Sequence, residues 1–551
     1  MCAGMGELPE KQDECTGSVL ADSDPLRRYS VARDPDLAGQ EIPVQTRDQF
    51  RAAVERISAY RADEPTRRPA TGFRVLDLRA AKRTFGPPGP ARKPVGVTTL
   101  TSALEALRSG KTSSVELTRE AYRAIATWEP LVHAYEYVVP EDEAVHQAAA
   151  LDAMAIEQRG RLHGIPLSIK DVIHVGGMPT TASSATLRGL VPVDDAVAVA
   201  RLRRAGAVFT GKTTTHEYAM GVTTPQSRNP WDLARDPGGS SGGAAVTLAT
   251  GSALGALGTD TRASIRVPAA LCGVVGFKPT YGLVPTHGIV MMSSSIDHVA
   301  PMGRTSADVA LLLNVLVGSD AKDPTSVAGG AADYSQFVGV DVRGLRVGIP
   351  ISALRGAEPG VLAAFKSAIS ALEKLGVDIV EVLEPTIDDF ELSNAAGLLV
   401  SRCEAVPFQN SLLGHEGERA YRADVREQVA AANEVRAVDY LEAQRFRAEL
   451  GERMAKLLTT VDALAMPTSR VVAPPSERGD EYLLVLSENC IPWSFIGFPA
   501  ASVPCGLAAG TSLPAGIEFV GAPFDDGVLL ALGSALELAL GMPILPRPPV
   551  A

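Results

Sequence analysis

The sequence predicts an α/β fold, and three observations carry that prediction. Strand and helix patterns alternate from Val95 to about Gly318, as expected for helices packed against a β-sheet. Residues 330–460 carry longer helical patterns. The most apolar stretch, Val528 to Leu545, is interrupted by a glutamate, a glycine and a proline, so we interpret it as a buried C-terminal helix and not as a membrane span.

The first 95 residues differ from the rest of the chain. They are rich in charge and proline and end in a linker-like segment, residues 85–94. Within them, four apolar residues lie at helical intervals: Phe50, Val54, Ile57 and Tyr60. We therefore predict an accessory arm and linker over residues 1–95 and one large domain over residues 96–551. Packing of the arm on the core is the simplest interpretation, and covering of the core or dimerisation are the alternatives.

Composition narrows the functional classes. The 551 residues are 46% hydrophobic and 21% charged, which is ordinary for a soluble globular protein. The net charge of −12 argues against nucleic acid or an anionic membrane surface as a general partner. Six scattered cysteines without C-x-x-C spacing predict neither structural zinc nor a disulfide framework. The N-terminus has no basic start followed by an apolar run, so we expect no signal peptide and a cytoplasmic protein.

Two serine-containing turns are the strongest functional signal. Ser240 and Ser241 lie between glycine pairs, directly before a predicted helix over residues 244–250. Ser264 follows a predicted strand over residues 253–258 and a turn, and a helix is expected to begin nearby. Free N–H groups and the positive end of the helix dipole point at such turns. Both turns could therefore stabilise a developing oxyanion.

Lys170 supplies a candidate base for these serines. It ends an apolar segment, residues 165–169, that predicts a buried strand. A serine hydroxyl needs a base to become a nucleophile, and Ser–Lys combinations are known. Burial would lower the lysine pKa from about 10.4, as general-base action requires. The alternatives are a flexible glycine loop around Ser240 and a structural ion pair between Lys170 and Asp171.

Several segments extend this pattern along the chain. They are residues 162–171, 211–221, 229–232, 272–282, 293–302, 461–468 and 497–506. Together with the two serine turns, they closely resemble the amidase signature family, from about Val95 to the C-terminus. The resemblance implies a large mixed β-sheet core flanked by helices, here with an N-terminal extension, so that residues 96–551 would form the amidase signature domain.

The resemblance also implies a role for each matched residue. Ser264 corresponds to the nucleophile, Ser240 to a bridging serine that follows a cis peptide bond, and Lys170 to the base. The supporting hydrogen-bond network falls on Ser241, Asp260 and Arg266. The oxyanion hole falls on the backbone N–H groups of Thr261, Arg262, Ala263 and Ser264.

One departure from the family pattern concerns the turn before Ser264. Arg262 and Ala263 stand where family members usually carry two glycines. An alanine forced to positive φ would cost about 1–2 kcal/mol. The Arg262 side chain could narrow the substrate range, bind an anionic substrate or impair turnover. We expect altered specificity and not inactivity, because the other catalytic and supporting residues are present.

We therefore predict an amidohydrolase that cleaves a small-molecule amide C–N bond through an acyl-serine, without cofactor or metal. Aryl or hydrophobic amides, carbamates and esters are candidate substrates. Candidate substrate-binding residues are Thr181, Met292, Trp493 and Phe495, with core packing as the alternative for the apolar ones. Two other functions stay open: a glutamine-hydrolysing amidotransferase subunit, against which the long N-terminal arm argues, and a catalytically impaired binding protein. We also consider a homodimer.

Residues 206–213 match the phosphate-binding pattern G-x-x-x-x-G-K-[ST]. A phosphate-binding loop requires a strand before its first glycine and a helix after its lysine. Here the preceding residues 196–205 predict a helix, and the strand begins inside the motif at Val208. The sequence therefore does not predict ATP binding at this segment.

Overall fold

The computed structural model describes residues 44–63, 98–413 and 421–547. The predicted arm is therefore described only over residues 44–63, and its remainder, residues 1–43 and 64–95, lies outside the described residues. How far residues 1–95 form a separate unit stays a prediction.

The described residues alternate helices and strands, which confirms the predicted α/β class. The helices are α1 (Val44–Asp63), α2 (Leu100–Arg108), α3 (Ser114–Val132), α4 (Glu141–Asp152), α5 (Val197–Arg204), α6 (Gly242–Thr250), α7 (Arg266–Cys272), α8 (Ser306–Leu316), α9 (Pro359–Lys374), α10 (Ile387–Leu413), α11 (Ala423–Ala432), α12 (Ala437–Leu457), α13 (Leu483–Ser487), α14 (Ile491–Phe495) and α15 (Asp526–Leu540). The strands are β1 (Tyr135–Val138), β2 (Pro166–Lys170), β3 (Val208–Thr213), β4 (Gly255–Asp260), β5 (Val275–Lys278), β6 (His298–Gly303), β7 (Arg346–Pro350), β8 (Asp378–Val382), β9 (Ala463–Pro467), β10 (Ala500–Leu507) and β11 (Pro514–Val520).

The strands form a single mixed sheet of eleven in the described part of the chain, in the order β1-β3-β2-β4-β6-β5-β10-β11-β9-β7-β8. β2 runs parallel to β3 and β4, whereas β4 and β6 are antiparallel. Every residue of β2, β4, β6 and β11 is buried. Such continuous burial is expected where helices cover both faces of a sheet. The predicted large mixed sheet flanked by helices is thus confirmed.

The sheet topology brings the candidate catalytic segments together. β2 ends at Lys170 and β4 ends at Asp260, and the two strands are parallel neighbours. Their carboxyl ends therefore lie at the same edge of the sheet, where α/β proteins commonly bind ligands. β4 begins at Gly255, two residues later than the sequence pattern predicted, because its pairing with β2 begins there, opposite Leu167.

The C-terminal helix is buried as predicted but shorter than the predicted stretch. α15 ends at Leu540, because Gly541 adopts a left-handed conformation with φ of 69° and closes the helix. Pro543 follows and cannot continue it. None of the helices in the described ranges combines the length and the apolar character needed to cross a membrane.

Helix α1 packs against α10, α11 and α12. Phe50 and Ile57 are buried in this contact, in keeping with their helical spacing. The Tyr60 ring meets Phe446 of α12 edge-on, with ring centroids 5.2 Å apart, and its hydroxyl donates to Glu449. This part of the arm therefore lies on the helical layer formed by α10, α11 and α12.

The phosphate-loop pattern does not form a phosphate loop. α5 precedes the motif, and the motif lysine, Lys212, lies inside β3. Its ammonium is buried and pairs with Asp171 at 3.0 Å. The order of helix and strand is thus the reverse of what phosphate binding requires, as the sequence analysis predicted.

Candidate active site

Lys170 ends β2 with a fully buried side chain. Its Nζ donates to Ser240 Oγ at 2.7 Å and to Thr259 Oγ1 at 2.8 Å. Burial lowers the pKa of Lys170 to about 7, although the negative charges of Asp260 and Asp297 act in the opposite direction. A lysine that loses its proton near neutral pH can serve as a general base.

Asp171 forms its ion pair with a lysine other than Lys170. Its Oδ1 binds the Lys212 ammonium, and its Oδ2 accepts from Thr181 N at 2.9 Å. The carboxylate therefore faces β3 and the Thr181 loop. Since another lysine occupies the carboxylate, the structure gives no support to the alternative of an ion pair between Lys170 and Asp171.

The two serine turns are bonded to each other and to the end of β4. Ser241 N donates to Ser264 O at 3.1 Å, and Ser241 Oγ donates to Thr259 O at 3.1 Å. The peptide bond between Gly239 and Ser240 is cis. A side chain at Gly239 would place its Cβ 2.1 Å from Thr223 O, so only glycine fits this close approach. These contacts hold Ser240 against Lys170.

Ser264 lies in the turn between β4 and α7 and lines a cleft of about 470 Å³. Its side chain is nearly buried. Within the described residues, no hydrogen bond joins Ser264 Oγ to Ser240 Oγ, and the backbone N–H groups of residues 262–264 have no protein acceptor. Catalytic hydrogen bonds are often long in unliganded enzymes and shorten when substrate binds.

A buried ion pair supports this turn. Arg266 Nε donates to Asp260 Oδ2 at 2.9 Å, and Arg266 Nη2 donates to Asp260 Oδ1 at 3.1 Å. Ser494 Oγ also donates to Asp260, at 2.8 Å. Burial alone would raise the pKa of Asp260, but the Arg266 guanidinium outweighs it and holds that pKa well below its usual range. The two ends of the turn are thereby tied together.

The two residues that replace glycines adopt different roles. Neither Arg262 nor Ala263 has positive φ, so the expected backbone strain is absent. The Ala263 side chain packs in an apolar cluster with Val267 and Leu271. Arg262 instead lines the cleft beside Ser264 and donates to Asn394 of α10. Only the arginine can therefore influence what the cleft binds.

The four candidate substrate-binding residues lie in different places. Met292 lines the cleft. Thr181 binds Asp171 and is not among the lining residues. Trp493 and Phe495 of α14 are buried in the core outside the lining, and Phe495 stacks on Phe446 with centroids 6.3 Å apart. Helix α14 packs against α10.

The opposite wall of the cleft comes from helices that the site motifs do not include. α1 contributes Gln49 and Arg56, and α10 contributes Asn394, Leu398 and Arg402. The three α10 residues are four positions apart and so share one helical face. That spacing is the only local signal in the sequence that could have grouped these three residues. It does not indicate which element of the fold they face.

Comparison with known proteins decides the family. The protein-family model described as Amidase matches residues 116–530. This chain belongs to the amidase signature family. Among its relatives are proteins named as subunits of glutamyl-tRNA(Gln) amidotransferase. The one from Chloroflexus aurantiacus is 38% identical over 470 residues, covering 80% of this chain and 96% of the relative. The one from a Roseiflexus species is 39% identical over 468 residues, with the same coverage.

Solved structures support the same family assignment. The corresponding glutamyl-tRNA(Gln) amidotransferase subunit from Thermotoga maritima superposes with a TM-score of 0.71 and 31% identity, covering 82% of this chain and 98% of that structure. Peptide amidase from Stenotrophomonas maltophilia gives a TM-score of 0.72 and 29% identity, covering 83% and 100%. This chain is thus similar both to a peptide amidase and to one of the subunits of an amidotransferase.

Proposed function

We propose that this amidase cleaves an amide C–N bond by acyl transfer through Ser264, with Ser240 as proton relay and Lys170 as base. The observation that supports the proposal most is the 2.7 Å hydrogen bond from the buried Lys170 Nζ to Ser240 Oγ. The neighbouring turn carries Ser264 into the cleft. A base at the end of β2 thus lies beside two hydrogen-bonded turns, which carry the relay and the candidate nucleophile.

The proposed reaction has two halves. Ser264 Oγ attacks the amide carbon while its proton passes to Ser240 Oγ and the Ser240 proton passes to Lys170 Nζ. The C–N bond then breaks, and the proton returns through the same relay to the leaving nitrogen. Water attacks the resulting ester and loses a proton through Ser240 to Lys170. The ester C–O bond then breaks, the proton returns through Ser240 to Ser264 Oγ, and the carboxylic acid is released. Lys170 is neutral again after each half.

The negative charge of the tetrahedral intermediate needs donors beside Ser264. Backbone N–H groups over Thr261–Ser264 are our candidates, since those of residues 262–264 have no protein acceptor among the described residues. A backbone donor persists whatever side chain its residue carries. Each such donor typically contributes about 10²–10³-fold to kcat. The loss of two glycines is therefore compatible with turnover.

Two functions share this chemistry. One is a free-standing amidohydrolase for small-molecule amides, and the other is a glutamine-hydrolysing subunit of an amidotransferase. The names of the relatives favour the second, because those described above are amidotransferase subunits. The likeness to a peptide amidase supports the first. About a fifth of this chain has no counterpart in the Chloroflexus and Roseiflexus relatives, whereas they are matched over 96% of their length.

Kinetics on the purified chain separate the two functions. A free-standing amidase hydrolyses aryl, alkyl or anionic amides alone, and added subunits change nothing. An amidotransferase subunit releases ammonia from glutamine only, and purification from its native host retains partner subunits that couple the release to amidation of glutamyl-tRNA. Absence of turnover with every amide, together with failure of Ser264 to react with a fluorophosphonate, would overturn both. Cytoplasmic location and a homodimer stay predictions.

A further inference from the structure

Two guanidinium groups line the cleft that holds Ser264. Arg262 comes from the turn directly before the candidate nucleophile, and Arg402 comes from α10 on the facing wall. Arg402 is buried, and Arg262 is partly buried. Charged side chains removed from water are normally paired with an opposite charge. The partners of these two arginines therefore indicate what the cleft is built to bind.

All described partners of both groups are neutral. Arg262 Nη2 donates to Asn394 Oδ1, and Arg262 Nε is buried without an acceptor. Arg402 donates to four neutral atoms: Gln428 Oε1 at 2.7 Å, Met220 O at 2.9 Å, Ser401 Oγ at 3.2 Å and Met292 Sδ at 3.5 Å. Within residues 44–63, 98–413 and 421–547, neither arginine forms an ion pair.

Carboxylates are present in the cleft wall, but three of them are bound to other cations. Asp424 pairs with Arg422 at 3.2 Å, and its other oxygen lies 3.2 Å from His216 Nε2. Glu391 pairs with Arg56 of α1, and Glu488 pairs with Arg470 at 2.7 Å. The charge of Asp424 raises the pKa of Arg402, but none of these three carboxylates forms an ion pair with Arg262 or Arg402.

The two positive charges also act on each other. Burial, followed by the charge of Arg262, lowers the pKa of Arg402 to about 9, and burial lowers the pKa of Arg262 to about 10. Both groups stay charged at neutral pH. The charges of Asp297 and Asp424 act on Arg402 in the opposite direction but do not offset the lowering of its pKa. Two neighbouring cations without a directly paired carboxylate are unfavourable in a low-dielectric site, and a bound anion would relieve that cost. A carboxylate suits a guanidinium, because it can accept two parallel hydrogen bonds.

We propose that Arg262 and Arg402 form an anion subsite, and that the amide cleaved at Ser264 carries a carboxylate. This inference rests on the proposed function and specifies its substrate class. The subsite binds the carboxylate beside the acyl group, because Arg262 lies two residues before Ser264. Amides that carry a carboxylate are compatible with both a free-standing amidohydrolase and an amidotransferase subunit, since glutamine is such an amide.

The test measures protection of Ser264 against a fluorophosphonate. Malonamate, succinamate and glutaramate are each compared with a neutral alkyl amide of equal length. We expect at least one carboxylate to protect at about tenfold lower concentration than its neutral match, because charge-assisted hydrogen bonds are the stronger ones. Arg262→Gln and Arg402→Gln should each remove most of that preference, whereas Arg402→Lys should retain part of it through its charge.

A matched control comes from another buried arginine. Arg304 also bonds to neutral carbonyl groups, those of Thr98 and Leu248, but it does not line the cleft. Arg304→Gln should therefore keep the carboxylate preference. Equal protection by charged and neutral amides, or a preference unchanged in both glutamine variants, overturns the subsite. If Ser264 is not labelled at all, the proposed nucleophile fails, and calorimetric titration of succinate into wild type and Arg402→Gln decides the subsite separately.

Discussion

The two sides of the cleft are built on different principles. On the catalytic side, Lys170 ends β2, Ser240 lies in the turn before α6, and Ser264 lies in the turn between β4 and α7. The Asp260–Arg266 pair closes the latter turn within six positions of sequence. On the facing side, α1, α10, α11 and α13 come from distant parts of the chain. The catalytic side is stabilised by hydrogen bonds and an ion pair among strand ends and turns, whereas the facing side depends on helix packing.

The two sides of the cleft also differ in how their charged side chains are paired. The buried carboxylate of Asp260 is bound by Arg266 on both oxygens. Arg262 and Arg402, which face the cleft, have only neutral described partners. Charged groups that are paired within the protein keep a fixed geometry, whereas charged groups without an ion pair can respond to a charged ligand. We infer that the strand-end turns carry the chemistry and that the helical wall carries the specificity.

The largest effect is expected from Lys170→Met. The variant removes the base but keeps the apolar stem, so kcat should fall by about 10³-fold or more while the protein stays folded. Lys212→Met is the matched control, because Lys212 is equally buried but binds Asp171 and not Ser240. It should lose stability, by about 3–5 kcal/mol for a broken buried pair, and keep most of its kcat. Thermal unfolding and steady-state kinetics on both variants check this prediction. A near-normal kcat in Lys170→Met would contradict the assignment of Lys170 as the base.

The pH profile tests the same side of the cleft. Lys170 must be neutral to accept a proton, and its pKa is lowered to about 7. kcat/KM should therefore rise about tenfold per pH unit below that value and level off above it. Burial also lowers the pKa of Lys278 to about 7, so the inflection must persist in Lys278→Met. A profile that is flat from pH 5 to 9, or an inflection lost in that variant, contradicts the assignment to Lys170.

Arg262 and Ala263 replace the two usual glycines, and substitutions at these neighbouring positions should have different effects. Arg262→Gly should change the ranking of amides by kcat/KM, because Arg262 lines the cleft. Ala263→Gly should keep the ranking and cost about 1 kcal/mol of stability, because Ala263 packs in an apolar cluster. A substrate profile that is unchanged in Arg262→Gly would mean that the arginine does not contribute to specificity.

The smallest effect on chemistry is expected from undocking α1. Ile57→Asp places a charge at a fully buried position, so α1 should separate from α10 and α12 and become sensitive to limited proteolysis. KM should change several-fold while kcat changes little, since α1 contributes to the cleft wall and not to the turns. Glu55→Ala, at an exposed position on the same helix, should behave as wild type. A larger loss in kcat than in KM would show that the wall supports the chemistry itself.

The sequence could predict the strand-end turns because their signals are local. A buried strand ending in Lys170, and glycines around Ser240, are visible within a few residues, and the structure brings these two side chains together. Arg402 could not be found this way, because its role depends on which turn α10 faces. The aromatic character of Trp493 and Phe495 does not distinguish a cleft wall from a core, and both residues are buried. The backbone strain expected at Ala263, where the family usually carries glycine, is absent, because its φ is not positive.

The central claim is that Ser264, and not the serine bonded to Lys170, becomes acylated. Brief exposure to a fluorophosphonate or an activated ester, followed by proteolysis and mass spectrometry, locates the adduct directly. We expect it on the peptide that contains Ser264 and expect Ser264→Ala to abolish it. An adduct on Ser240 or Ser241, or one that survives in Ser264→Ala, would contradict the account.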